Sequence, residues 1–116
     1  MQELSTEMRA CADLCQICAT TCFNEAMNHC LESGGKHTEP DHFRLMIACS
    51  EICNASAAIL LTGISEHVFV CRACAQICRA CAESCEKVGD MQDCVDACQV
   101  CGDSCEAMSA SMQMAA

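Results

Sequence analysis

Five cysteines between Cys71 and Cys85 are spaced by three, four, three and four residues. At ~100° per residue this spacing holds all five sulfurs within about an 80° arc of one α-helix. A helix carrying such a stripe needs partners for the stripe to face. Three other segments supply them: Cys11, Cys15, Cys18 and Cys22; then Cys49 and Cys53; then Cys94, Cys98, Cys101 and Cys105. The pattern predicts an all-α fold, an antiparallel up-down-up-down four-helix bundle with a cysteine-lined core.

A chain of 116 residues is one domain's worth, so residues 1–116 are read as a single four-helix-bundle unit. Sixteen cysteines in that length point to either a disulfide scaffold or a metal site. The opening Met1-Gln-Glu-Leu-Ser-Thr-Glu-Met is polar and acidic, unlike a secretory leader, so the expected location is the reducing cytoplasm. A net charge of −10 disfavours nucleic acid and anionic lipid and favours cations. The aromatics, Phe23, Phe43 and Phe69, offer no stacking platform for bases. The longest apolar run, Ala55 to Leu61, is far short of the ~20 residues a membrane span needs, so no membrane partner is expected.

Along the chain, Ser5 is a good N-cap for a first helix running to about Leu31, where Ser33-Gly34-Gly35 breaks it. Cys11, Cys15, Cys18 and Cys22 share one face of this helix. A straight α-helix would carry that line to His29 and leave Cys30 about a quarter turn away. Pro40 suits the first turn of a second helix, which ends at Gly63. Its seam reads His42, Met46, Cys49, Cys53, Ser56 and Leu60. Ser65 is the expected cap of a third helix, Glu66 to Val88, and Asp90 that of a fourth with seam Cys94, Cys98, Cys101, Cys105, Met108 and Met112. Gly102 interrupts the fourth helix and suggests close helix approach or local softness.

Up-down connection separates the two ends. One gathers Leu4, Met8, Leu60, Leu61, Ile64, Val68, Phe69, Met108 and Met112 as an apolar plug. The other gathers His29, His37, His42, Met46, Cys30, Cys85, Met91 and Cys94, ligand types suited to a metal entrance. Ile17, Ile47 and Val100 face outward and hint at an oligomer contact, and His67 reads as a surface residue.

Core filling does not explain the thiols, because Leu, Ile or Val would bury more apolar area at each position. Disulfides within a helix are strained out: residues at i and i+4 have Cβ atoms about 5–6 Å apart, whereas a disulfide needs about 3.5–4.5 Å. Soft metal binding remains. A thiolate in a dry core costs several kcal/mol unless neutralised, and one monovalent ion per thiolate neutralises it. Cu(I) favours thiolate and thioether ligands. Seven C-x-x-x-C pairs could each offer a sulfur–metal–sulfur unit: Cys11/Cys15, Cys18/Cys22, Cys49/Cys53, Cys74/Cys78, Cys81/Cys85, Cys94/Cys98 and Cys101/Cys105. Cys71 and Cys30 are left to cap or bridge.

From about Cys11 to Cys105, and most of all from Cys71 to Cys85 and Cys94 to Cys105, the chain resembles the bacterial copper storage protein family. In that family a cysteine-lined four-helix bundle holds many Cu(I) ions. The resemblance implies multiple Cu(I) ions per chain, a cytosolic form and a homotetramer. Cys30, off the expected seam, and Ser56, on it where a thiol would fit, bear on the metal count.

The expected ligands are therefore the sixteen cysteines with His29, His42, Met46 and Met91, and no catalytic residues. His37, Met108 and Met112 are left open. Competing readings are a zinc reservoir, a Cu(I) delivery protein and, from another class, an iron–sulfur electron carrier. Delivery calls for one exposed exchangeable pair, whereas these thiols are many and inward. The compact ferredoxin run of cysteines is missing. No single cysteine has a His and carboxylate set apart for nucleophilic catalysis.

Overall fold

The computed structural model describes the chain from residue 4 to residue 115, and its side chains as far as residue 110. Ser5 caps the first helix, α1 (Thr6–Glu25), its hydroxyl accepting from the Met8 N–H at 3.0 Å. That satisfies one of the four donors a helix start leaves open. A π-helical turn, Ala26–Cys30, then interrupts the α-helical path before a last turn, Leu31–Ser33. Gly34, at φ 65°, ends the rod, and a 3-10 turn, Gly35–Thr38, leads into α2 (Pro40–Thr62). Pro40 occupies the first turn of α2, where no N–H is required. Gly63 closes α2 in the left-handed region at φ 79°, a conformation open to glycine at little cost.

Two helix starts differ from expectation. Ser65 does not cap α3 (His67–Val88): its hydroxyl donates to Glu66 Oε1 at 3.3 Å, and His67 Nδ1 takes over the turn, 2.7 Å from the Ile64 carbonyl. Asp90 does not cap α4 (Gln92–Ala115) but sits at φ 59°, a left-handed conformation that Asp tolerates better than most residues. The Met91 carbonyl accepts the first backbone bond of α4, from Val95 at 3.1 Å. Both expectations placed a cap where the turn instead needed tight backbone reversal.

Contacts fix the arrangement. Ser50 on α2 donates to the Ala19 carbonyl of α1 at 2.9 Å, while Cys30 meets Met46 nearer the other end of the pair. Cys53 meets Cys74 and His42 meets Ser84, so α3 runs against α2. Cys11 meets Cys105 and Cys22 meets Cys98, so α4 runs against α1. Gly102 lies over Cys78, and Cys85 over Cys94, so α3 and α4 are opposed too. The result is an antiparallel four-helix bundle, 49 Å along its long axis.

Small side chains let these helices close on one another. Ala12, Ala19, Ala57, Ala75 and Ala82 flank the cysteines in the core. A Cβ on Gly102 would stand 3.5 Å from Cys78 Cβ and from Arg79 Cγ, ordinary contact, so α3 and α4 approach here no closer than an alanine would allow. Outside the seam, Arg79 clamps α3 to α4 by donating to Glu106 at 2.8 Å and to Asp103 at 3.2 Å. Such exposed pairs contribute little to stability, because solvent screens them.

The apolar plug is thinner than its composition suggests. Leu60 and Val68 are buried, Leu4, Met8 and Met108 are partly buried, and Leu61, Ile64 and Phe69 are exposed. The side chain of Met112 lies outside the described residues. Ile17 and Val100 face outward as read, but Ile47 is half-buried against the core. By length and composition α2 could cross a membrane, with a mean hydropathy of 1.6 over its most apolar window. Here its seam, from His42 through Met46, Cys49 and Cys53 to Leu60, is buried among the other helices.

Candidate metal centre

All sixteen cysteines are free thiols with no exposed surface. Their sulfurs form a ladder down the bundle axis. Within helices Cys18 and Cys22 stand 4.0 Å apart and Cys74 and Cys78 3.8 Å. Across helices the approach is closer, 3.5 Å for Cys15/Cys105, Cys22/Cys98 and Cys53/Cys78. The intrahelical pairs read from the sequence are thus only part of the geometry. Each ligand set assembles from three helices.

Four sets contain four sulfurs each: Cys15, Cys74, Cys101 and Cys105; Cys18, Cys49, Cys53 and Cys78; Cys18, Cys22, Cys49 and Cys98; and Cys53, Cys74, Cys78 and Cys101. A fifth, Cys11, Cys71 and Cys105, has three. Neighbouring sets share members, Cys18, Cys53 and Cys105 among them. Charge bears on the choice of ion: an isolated tetrahedral Zn²⁺ site with four thiolates keeps two negative charges, whereas one monovalent ion per thiolate leaves the shared sets neutral.

The remaining thiols continue the ladder. Cys81 neighbours Cys22, Cys49, Cys85 and Cys98, and Cys85 neighbours Cys94. Cys94 also points to the Thr21 carbonyl at 3.9 Å. Neighbouring thiols perturb one another: Cys105 is pushed up, chiefly by Cys101, and Cys101 down, chiefly by Cys105, while burial raises both.

At the end where α1 meets α2, the π turn changes the expected ligand set. One extra residue in a turn sets the helix back by about 100°. That rotation brings Cys30 onto the seam and swings His29 off it, the reverse of the straight-helix expectation. Cys30 Sγ lies 3.6 Å from Met46 Sδ, 3.9 Å from Met91 Sδ, 3.8 Å from His37 Nδ1 and 4.0 Å from His42 Nε2. Asn28 braces the turn, its Nδ2 donating at 2.9 Å to both the carbonyl and the side-chain oxygen of Asn24.

His29 instead edges onto the His37 ring, with centroids 4.8 Å apart, and its Nε2 lies 3.8 Å from Asp90. It lines a surface cavity of about 450 Å³ together with Cys85, Met91 and the carboxylate residues Glu86, Asp90 and Asp93. The cavity joins an acidic surface to Cys85, one thiol of the ladder. Burial pushes the Cys30 thiol up to about 11, with Cys85 and Glu25 adding to the effect, and burial likewise lowers His42. Cys30 is therefore a thiol and His42 a neutral imidazole near neutral pH. A soft cation arriving there meets neutral donors and a proton to displace.

The family model for copper storage proteins matches residues 1–110. The chain belongs to the copper storage protein family. Its bundle is also similar to that of the Nmul_A1745 protein of Nitrosospira multiformis, 49% identical with a TM-score of 0.87, over 90% of this chain and 95% of that one. A second similar structure is the Cu(I)-bound copper storage protein BsCsp3, 30% identical with a TM-score of 0.81, over 90% of this chain and 99% of that one. Among curated proteins none matches the chain.

For a copper storage family member, the sequence-derived ligands fall into three groups. The cysteines other than Cys30 form the ladder. Cys30, His42, Met46 and Met91 meet at one end, joined by His37, which the sequence left open. His29 stands beside that cluster and not in it. Met108 is partly buried against the core at the opposite end. Ser56 is fully buried with its hydroxyl unpartnered. Sequence reasoning missed Ser84, whose Oγ lies 2.7 Å from His42 Nδ1. The sequence signal was slight: Ser84 directly precedes Cys85 on the flank of the cysteine stripe.

Proposed function

We propose that this chain is a single-domain store for many Cu(I) ions, held by its sixteen cysteines inside the bundle, and that it is not an enzyme. The observation that carries the reading is the continuous ladder of buried free thiols in which adjacent ligand sets share sulfurs. A shared thiolate bridging two monovalent ions neutralises the core, whereas one Zn²⁺ per four-thiolate set would leave charge in it. Family membership and the Cu(I)-bound BsCsp3 structure support the choice of metal.

In this reading His42, Met46, Met91 and Cys30 take the incoming ion, His29 helps guide it, and the acidic cavity draws cations to the entrance. Neutral imidazole and thioether groups bind Cu(I) without changing its charge. Transfer to a thiol then releases a proton and leaves a neutral metal–thiolate unit, which favours movement inward. Cytosolic location fits the free thiols. Assembly as a homotetramer fits the exposed Ile17 and Val100.

An anaerobic Cu(I) titration of the reduced protein against a chromophoric chelator tests the reading. Uptake approaching one copper per cysteine supports storage. Uptake of one or two ions per chain, with the rest left on the chelator, overturns it in favour of delivery. Preferential retention of Zn²⁺ in a mixed-metal competition would favour the zinc reservoir.

A further inference from the structure

Resting on the reading that His42 receives incoming Cu(I), we infer that Ser84 is a positioning residue that selects the ring tautomer of His42 and so aims its Nε2 lone pair at the entrance cluster. His42 is 5% exposed and bridges two unlike surroundings. Its Nδ1 lies 2.7 Å from Ser84 Oγ on α3, and its Nε2 lies 4.0 Å from Cys30 Sγ. Behind Cys30 stand the thioether sulfurs of Met46 and Met91.

A neutral imidazole has one N–H to place. With the hydrogen on Nε2 it would point at a cluster of sulfurs, which are weak acceptors. With the hydrogen on Nδ1 it meets a hydroxyl oxygen at a short, strong distance. The second choice also frees the Ser84 hydrogen to bond elsewhere. Ser84 lines an open cleft of about 320 Å³ with Lys36, Glu39, Asp41 and Lys87, so that hydrogen has solvent within reach. The geometry therefore favours Nδ1–H donating to Ser84, with Nε2 left as the metal-facing base.

Partners of this kind outside the ligand set hold the tautomer and orientation of metal-binding histidines, and removing one typically costs about 10–100-fold in affinity. Ser84 reaches no Cu(I) ligand other than His42 by hydrogen bond. Its effect should pass through that ring alone. The ladder, built from thiols, should not feel its loss.

The decisive experiment pairs two readouts on the full chain. Imidazole ¹⁵N shifts of the metal-free protein report the His42 tautomer, and stopped-flow Cu(I) uptake with an end-point chelator titration reports the entry rate and the total capacity. The expected result is Nδ1–H in the wild type, a mixed or Nε2–H signal in Ser84→Ala, uptake a few-fold slower in that variant, and unchanged capacity. Ser84→Thr should restore both the tautomer and the uptake rate.

An Nε2–H tautomer in the wild type overturns the proposal without any variant. So does a Ser84→Ala protein whose tautomer or Cu(I) uptake rate is unchanged. The tautomer is read without metal. A wild-type capacity of one or two ions would instead count against storage itself, so the two failures are distinguishable.

Discussion

The entrance and the ladder are made from the same four helices but from different chemistry. At the entrance one thiol, Cys30, is surrounded by two thioethers and two imidazoles. Along the ladder every donor is a thiol, and sulfurs such as Cys15/Cys105, Cys22/Cys98 and Cys53/Cys78 stand 3.5 Å apart. Neutral donors bind Cu(I) reversibly without proton loss, whereas thiolates neutralise the ion and surrender a proton for each bond. The difference teaches a division of labour under the proposed function: the entrance would govern how fast copper arrives, and the ladder how much is kept.

The largest effect that could break this division should come from the ladder. Replacing Cys18, Cys49, Cys53 and Cys78 together by Ala removes one complete set and disrupts the sets that share its members. Capacity measured by chelator titration should fall by about four ions or more, roughly one per thiol lost. A capacity unchanged by the quadruple substitution would mean that these thiols are not the store.

At the entrance the sign is different. His42→Ala combined with Met46→Leu and Met91→Leu should slow stopped-flow Cu(I) uptake by about tenfold, equivalent to ~1.4 kcal/mol on the barrier, while final capacity stays within one ion of the wild type. A proportional loss of capacity would erase the distinction between the two regions.

Neutralising the cavity sharpens the comparison further. Glu86→Gln, Asp90→Asn and Asp93→Asn remove carboxylates from the entrance cavity. Uptake should slow by a few-fold at low salt and become indistinguishable from wild type near 1 M salt, where screening acts over ~3 Å. Rates measured across a salt series provide the check.

The smallest effect concerns pH. Cys30 is raised from its ordinary 9.0 to about 11 in the fold, with burial as the main cause. A raised thiol contributes stability that is complete below the unfolded value and lost as pH climbs through the folded one. The copper-free protein should therefore lose stability between pH 9 and about 11. Copper-loaded protein, with Cys30 already deprotonated on the metal, should lose less over the same window. Thermal melts of both forms at intervals across that range make the test.

Most of the ladder was legible because helical periodicity alone puts Cys71, Cys74, Cys78, Cys81 and Cys85 on one face, and nothing in the core competes with it. The entrance was less so. A straight helix puts His29 inward and Cys30 aside, and only the π turn at Ala26–Cys30 reverses them. That turn is braced by local bonding between Asn24 and Asn28, which no hydrophobic pattern encodes. The partnership of His42 with Ser84 joins residues on different helices and leaves no periodic trace. Cross-helix sulfur pairs such as Cys22/Cys98 depend on register between α1 and α4, which spacing within one helix leaves open.

The most direct test of the store is an anaerobic crystal structure of the fully copper-loaded chain, with copper located by its anomalous scattering. The account predicts peaks running the length of the seam, from the Cys11, Cys71 and Cys105 layer to the Cys30 cluster, with thiolates shared between neighbouring ions. Peaks confined to the Cys30, His42, Met46 and Met91 cluster, over a seam of metal-free thiols, would contradict it.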